Sequence, residues 1–394
     1  MGCSSSSQGG RHPMLMTYRE WRKKYVRHWE GRLYVAYNDD GSSSPKEAVT
    51  VSEATGWGLL ISVLERQHED FKGFLLFYDQ FLNQRGLMSW QLCRTTGPVY
   101  VNPDNGGSNC ATDGDMDAAY ALLLAERLWP GHGYHAKGIR ACAALWEHCI
   151  NKTTFCPLIG DWVGRPGEIG GPQQDICYYD VTRPSDFCLT HFLAFSQEDT
   201  ARADGWQRCL DSCITQLCRG LAPHQTGLMP DFAVYDHTGQ CYKPALRQVL
   251  ERPEDGTFGW NACRIPWRLA VYYLHTGDPR LAAPLQRMAD FFSTQTKLAA
   301  GYDLSGAPLV TYGATCFQAP VWTLHQVLEN FTESRRVAGN ILAIIAGGWS
   351  NYYGDTVLML CQLQLKSPPI AYTPPAPSSQ QIGTPQGPPA QQAA

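Results

Sequence analysis

Between Tyr18 and Leu365, apolar residues recur three and four positions apart in about a dozen stretches, each closed by glycine, proline or aspartate. The spacing predicts helices near 17–29, 52–66, 69–84, 113–128, 134–150, 185–197, 201–219, 262–276, 279–296, 317–331, 334–346 and 352–365. No stretch sustains a two-residue alternation, so strands are not expected to organise the fold. The stretches lack the fixed repeat of a solenoid, and the connections range from two residues to about 40. Such a pattern suits an all-α (α/α)6 barrel, six inner helices inside six outer ones. Three long connections, 86–112, 151–184 and 220–261, are rich in Gly, Pro, Trp and Asp. Gathered at one end of the barrel they would wall a cleft.

The helical pattern defines one domain over 16–366, with a leader, 1–15, and a Pro/Gln-rich tail, 367–394, neither of which carries enough apolar residues to build a core. The leader reads Met1-Gly2-Cys3-Ser4-Ser5-Ser6, which fits acylation at Gly2 and Cys3, so membrane anchoring is one expectation; no secretory h-region is visible, and the compartment stays open. Two sequons, at Asn151 and Asn330, would be used only in a secreted chain. The formal charge of −4 offers no basic field, which removes nucleic acid from the expected partners. Fifteen cysteines show no CxxC pair, so no zinc site is expected; Cys142, Cys263 and Cys361 sit in apolar patterns as buried thiols. A monomer without cofactor or metal is the expectation.

Two strings carry the chemistry: Val51-Ser52-Glu53-Ala54-Thr55-Gly56-Trp57-Gly58 and Ala111-Thr112-Asp113-Gly114-Asp115-Met116-Asp117. Each puts carboxylates at the start of an apolar helix, where a pocket built from helix ends would present them. Glycoside cleavage needs one carboxylic acid to protonate the leaving oxygen and a second carboxylate to activate water or attack the sugar. Glu53, opening the run Trp57, Leu59, Leu60, Val63, Leu64, suits the first role if partly buried. The pattern alone equally allows Ser52-Glu53 to be a helix cap.

These strings resemble glycoside hydrolase family 8. The first is similar to that family's general-acid segment, and residues 111–129, ATDGDMDAAYALLLAERLW, to its signature, with Ala118 a departure. Asn261-Ala262-Cys263-Arg264-Ile265-Pro266-Trp267-Arg268 and Tyr352-Tyr353-Gly354-Asp355 follow in the family's order. The resemblance implies an (α/α)6 barrel and inverting endo-hydrolysis of β-1,4-linked polysaccharide. It makes Glu53 the proton donor, has Asp113 bind and distort the sugar, and places Arg264 beside them. Asp115 and Asp117 are read as structural.

Asn261 departs from the branch of the family in which this position is an aspartate acting as base. In a second branch, which includes chitosanases and some bacterial glucanases, a glutamate of an inserted loop supplies the base. Residues 243–251 are similar to that loop, which makes Glu251 the expected base, ahead of Glu254 and Asp255. Trp57, one turn after Glu53, Trp162 in a Gly-Asp-Trp loop, and Tyr352 are candidate sugar contacts; Asp186, in Arg183-Pro184-Ser185-Asp186-Phe187, would contact sugar or cap a helix. β-Glucan ranks first as substrate, chitosan second and xylan lower. A glycan-binding protein that has lost its base is the rival of another class.

Overall fold

The computed structural model describes residues 14–38, 45–170 and 175–366. The acylation signal at Gly2 and Cys3 and the tail 367–394 lie outside the described residues. Twelve α-helices are formed among them: α1 (Tyr18–Tyr25), α2 (Ser52–Leu64), α3 (His68–Gln80), α4 (Thr112–Leu128), α5 (Tyr134–Cys149), α6 (Leu189–Glu198), α7 (Ala203–Arg219), α8 (Ile265–Thr276), α9 (Ala282–Thr294), α10 (Thr315–Val327), α11 (Phe331–Ala346) and α12 (Tyr352–Lys366).

The even-numbered helices pack in sequence, α2 on α4, then α6, α8, α10 and α12, and α12 returns to α2 to close the ring. Each odd-numbered helix lies outside: α3 against α2, α5 against α4, α7 against α6, α9 against α8, α11 against α10 and α1 against α12. This is the (α/α)6 barrel expected from the spacing. Burial follows the layers. Twelve of the thirteen residues of α2 and fourteen of the seventeen of α4 are buried, because an inner helix has neighbours all round. Outer α7 buries one stripe, Trp206, Cys209, Leu210, Cys213, Ile214, Gln216 and Leu217, at the three-and-four spacing of a single face.

Ten short strands were not legible as an alternation, being two to four residues each. The helix expected over 17–29 stops at Tyr25. Val26–Trp29 (β1) instead pairs with Arg32–Val35 (β2) across Glu30 and Gly31, both at positive φ (47° and 75°), the geometry of a tight hairpin turn. Ala48–Val51 (β3) pairs with Gln91–Cys93 (β4), which pairs with Tyr100–Val101 (β5). Ile169–Gly170 (β6) pairs with Ile176–Cys177 (β7). Val181–Thr182 (β8), Ala233–Asp236 (β9) and Cys241–Pro244 (β10) make a sheet in the order β10-β9-β8, which ties the second long connection to the third.

The fourteen cysteines among the described residues are free, and Cys142, Cys263 and Cys361 are buried as expected. Asn151 is also buried, its amide nitrogen donating to the Tyr179 carbonyl at 2.7 Å, whereas Asn330 is exposed at the start of α11.

Candidate active site

The N-terminal ends of inner helices converge on one face, and close backbone packing sets the side chains there. A Cβ on Gly56 would lie 2.4 Å from the Gly114 carbonyl oxygen, and one on Gly114 would lie 2.6 Å from the Ser52 carbonyl carbon and 2.8 Å from the Glu53 nitrogen. No side chain fits in those gaps, so the glycines let α2 and α4 start side by side. Glu53 and Asp113 become neighbours. β3 feeds directly into α2, and the Ser52 N–H donates to the Trp90 carbonyl at 2.9 Å, fixing the Glu53 backbone to the first long connection.

Arg264, ending a 3-10 turn (Ala262–Arg264) before α8, reaches between the two carboxylates. Its Nη1 donates to Glu53 Oε2 and, at 3.1 Å, to Asp113 Oδ2; its Nη2 donates to Ser185 Oγ at 2.8 Å. Arg183, placed by β8, pairs with Asp113 at 3.2 Å and with Asp186 at 3.0 Å. Three carboxyls thus face two guanidiniums, one more acid than the arginines neutralise. Burial pushes Glu53 up from 4.5 to about 7; Arg264 opposes this and the Asp113 charge adds to it. Asp186 is likewise pushed up by burial, to about 6, against the pull of Arg183. Burial acts on Asp113 too, but Arg183 and Arg264 outweigh it and hold that carboxyl below its ordinary range.

Glu53, its side chain 18% exposed, opens into a cavity of about 770 Å³ that Glu251, Arg252, Trp260, Asn261 and Tyr352 also line. The Tyr352 hydroxyl donates to Glu53 Oε1 at 3.4 Å. Neither Ser52 nor Glu53 caps α2: its cap residue, Val51, makes no side-chain cap bond, and Ser52 Oγ has no partner. The cap alternative therefore fails and the carboxyl is free for the cavity. Asp113 lies deeper, 4% exposed, behind the residues that line this cavity.

Asn261 connects the second acid to this cluster. Its Nδ2 donates to Glu251 Oε2 at 3.0 Å, and its Oδ1 accepts from Arg183 and from Arg264, each at 3.4 Å. The other base candidates are placed differently. Asp255 is fully buried and accepts from the backbone N–H groups of Val249, Leu250, Glu251 and Arg252 at 2.8 to 3.2 Å, so it shapes the loop that presents Glu251. Glu254 lines a neighbouring cavity that Glu53 does not reach. Trp162 lines a cavity of about 520 Å³ with Trp90, Tyr178 and Glu251, so all three long connections do meet at this face.

Two expectations are corrected. Trp57 does not face the cleft: it is wholly buried, donates from Nε1 to Asp117 at 3.0 Å, and backs Tyr352 and Tyr353 with ring centroids 6.3 and 5.6 Å away. Asp186 has no exposed surface and neither caps a helix nor reaches the cavity, because Arg183 and Arg264 cover it. Asp115 and Asp117 take the structural places expected. Asp115 accepts from Tyr78 and the Met88 N–H, and Asp117 pairs with Arg268 at 2.6 Å and His191 at 2.7 Å.

Arg183 and Asp231 were not singled out from the sequence. The pairing of Arg with Pro reads as a turn, and only the two-residue β8 turns Arg183 inward. Asp231 Oδ1 accepts from the N–H groups of Gly259, Asn261 and Ala262 at 2.6 to 3.2 Å and so fixes the segment that carries Asn261 and Arg264.

The model of the glycosyl hydrolases family 8 matches residues 1–366. The chain belongs to family 8. A β-glucanase of Niallia circulans is 33% identical over 319 residues, 76% of this chain and 71% of that one. Endoglucanase A of Acetivibrio thermocellus is 25% identical over 88% of this chain and 68% of its own. The solved structure of a β-1,3-1,4-glucanase from Paenibacillus sp. X4 superposes with a TM-score of 0.73 at 28% identity, covering 88% of this chain and 89% of that one. The family 8 fold, with its helix starts turned to one face, accounts for the convergence of the four motifs, and the chain is a glycoside hydrolase.

Proposed function

We propose that this family 8 enzyme hydrolyses internal β-1,4 bonds of β-glucan with inversion, Glu53 acting as general acid and Glu251 as general base. The observation that carries the assignment is the Asn261 bridge, which holds Glu251 toward the cavity that Glu53 enters. An aspartate at 261 would set a second negative charge 3.0 Å from Glu251; the neutral amide donates to it instead. The residue that first suggested a lost base thus supports Glu251 as the base, through the bond its amide donates.

In the proposed reaction a sugar sits over Asp113, and the protonated Glu53, raised to about 7, gives its proton to the glycosidic oxygen. A water on the opposite face attacks the anomeric carbon as the bond to the leaving oxygen breaks, and passes its proton to Glu251. The product has inverted configuration. Exchange with solvent returns a proton to Glu53 and removes one from Glu251. Arg264 stays charged against Asp113 throughout, and Tyr352 steadies the Glu53 carboxyl.

β-Glucan is favoured by the relatives, a β-glucanase, an endoglucanase and a β-1,3-1,4-glucanase. Chitosan ranks second. The test is reducing-end release from barley β-glucan, carboxymethylcellulose, chitosan and xylan, with Glu53→Gln as control. Release from β-glucan that vanishes in the variant is expected; strong release from chitosan with none from β-glucan would overturn the substrate, and no release from any would favour the glycan-binding reading.

A further inference from the structure

The loop that carries Glu251 stands on a small apolar foot of its own. Ala245 and Val249 pack with Ile176, Val181 and Phe232 in a cluster separate from the main core, and Leu250 lies half-buried against it. Ile176 and Val181 belong to β7 and β8, so the second long connection supplies the seat for the third. Two hydrogen bonds fix Val249 there. Its N–H donates to the buried Asp255 at 2.9 Å, and its carbonyl accepts from the Tyr178 hydroxyl at 3.1 Å. Tyr178 opens a 3-10 turn (Tyr178–Asp180) between β7 and β8, and its ring meets Trp162 edge-on with centroids 4.8 Å apart. Nearer the surface, Arg247 pairs with Asp175 at 2.5 Å, again joining the two connections. Both of those side chains are well exposed, so this pair adds little.

From this arrangement we infer that Tyr178 is a positioning residue for the general base: its hydroxyl ties down the backbone two residues before Glu251. The two acids of an inverting enzyme must stand about 6.5 to 9.5 Å apart with one water between them, so a base on an exposed loop has to be held in place as well as in shape. Asp255 gives the loop its shape, because it accepts from four consecutive N–H groups of the same loop. Tyr178 ties that shape to a different segment. Asn261 then holds the carboxylate at 3.0 Å, while Tyr178 holds the backbone beneath it. Without the hydroxyl the Val249 carbonyl, in a residue only 3% exposed, loses its partner, and the loop relieves this by moving. The inference rests on the proposed role of Glu251 and extends it to a residue that acts through the main chain.

The experiment measures kcat and KM on barley β-glucan for the parent, Tyr178→Phe, Glu251→Gln and the double variant. Tyr179→Phe is the control, since that hydroxyl accepts from the Lys152 N–H at 2.8 Å and not from the base loop. Tyr178→Phe keeps the ring against Trp162 and removes one bond. It should lower kcat about tenfold and leave KM within about twofold, and Tyr179→Phe should change neither. In the Glu251→Gln background the same change should cost less than about twofold, because a residue that acts through the base then has nothing to position. A parental kcat in Tyr178→Phe, or an equal loss in both backgrounds, would overturn the inference and leave Glu251 as the base. Near-normal turnover in Glu251→Gln alone would overturn the base assignment, and this inference with it.

Discussion

Replacing the catalytic acid should make the protein more stable, and by an amount that depends on pH. The Glu53 carboxyl stands at about 7 in the folded chain against an ordinary 4.5. Its folded value is raised, so the folded state holds a proton that the unfolded state releases. The parent therefore loses stability as pH climbs from about 4.5 through 7, and above 7 carries the full penalty of an ionised group in a site that disfavours it. That penalty is about 3 kcal/mol. Glutamine has nearly the same shape and does not titrate, while Arg264 keeps Asp113 at 3.1 Å and Asp186 at 3.7 Å as partners. Urea denaturation of parent and Glu53→Gln at steps from pH 4 to 8 measures the difference. It should lie near zero at pH 4 and grow in favour of the variant to about 3 kcal/mol at pH 8. A variant less stable than the parent at pH 8, or a difference that does not change with pH, would refute the claim that burial holds this acid protonated.

The same carboxyl should set the alkaline limb of kcat/KM on β-glucan: activity needs Glu53 protonated and should fall through about pH 7 in the free enzyme. Glu251→Gln should lower kcat by about 10²- to 10⁴-fold with an unchanged circular dichroism spectrum; near-normal turnover would remove Glu251 as base. Asn261→Asp should lower kcat on β-glucan, because it replaces the amide that donates to Glu251 at 3.0 Å with a second carboxylate; unchanged turnover would show that the bridge does not matter. Gly114→Ala should destabilise the fold by about 1 to 3 kcal/mol or more and reduce activity together, since its Cβ would drive α4 from the Glu53 backbone; denaturant midpoints and initial rates test both halves.

Helix periodicity revealed the rings because each outer helix buries a stripe and each inner one is apolar enough to be covered all round. It missed β1 to β10, since strands of two to four residues have no room for an alternation. The residues at helix starts, Glu53, Asp113 and Tyr352, were legible because their motifs include the glycines that bring helices into contact, whereas Arg264 was legible only through the resemblance. Trp57 misled for the opposite reason: position i+4 shares a face with Glu53 along the helix, but the neighbouring α4 supplies Asp117 and claims the indole. Asp186 misled because its arginine partners come from a strand end and a distant turn. Glu251 and its rivals Glu254 and Asp255 could be ranked by sequence only through the resemblance. In the fold, burial takes Asp255, and Glu254 lines a different cavity from Glu53, neither of which a linear pattern encodes.

The most direct test of the mechanism is the configuration of the sugar first released. Proton NMR during the opening minutes of β-glucan hydrolysis, before the new reducing ends equilibrate, should show the α-anomer accumulating first, as attack by a water held by Glu251 requires. Early accumulation of the β-anomer would mean a retaining, covalent route and would contradict the pairing of Glu53 with Glu251.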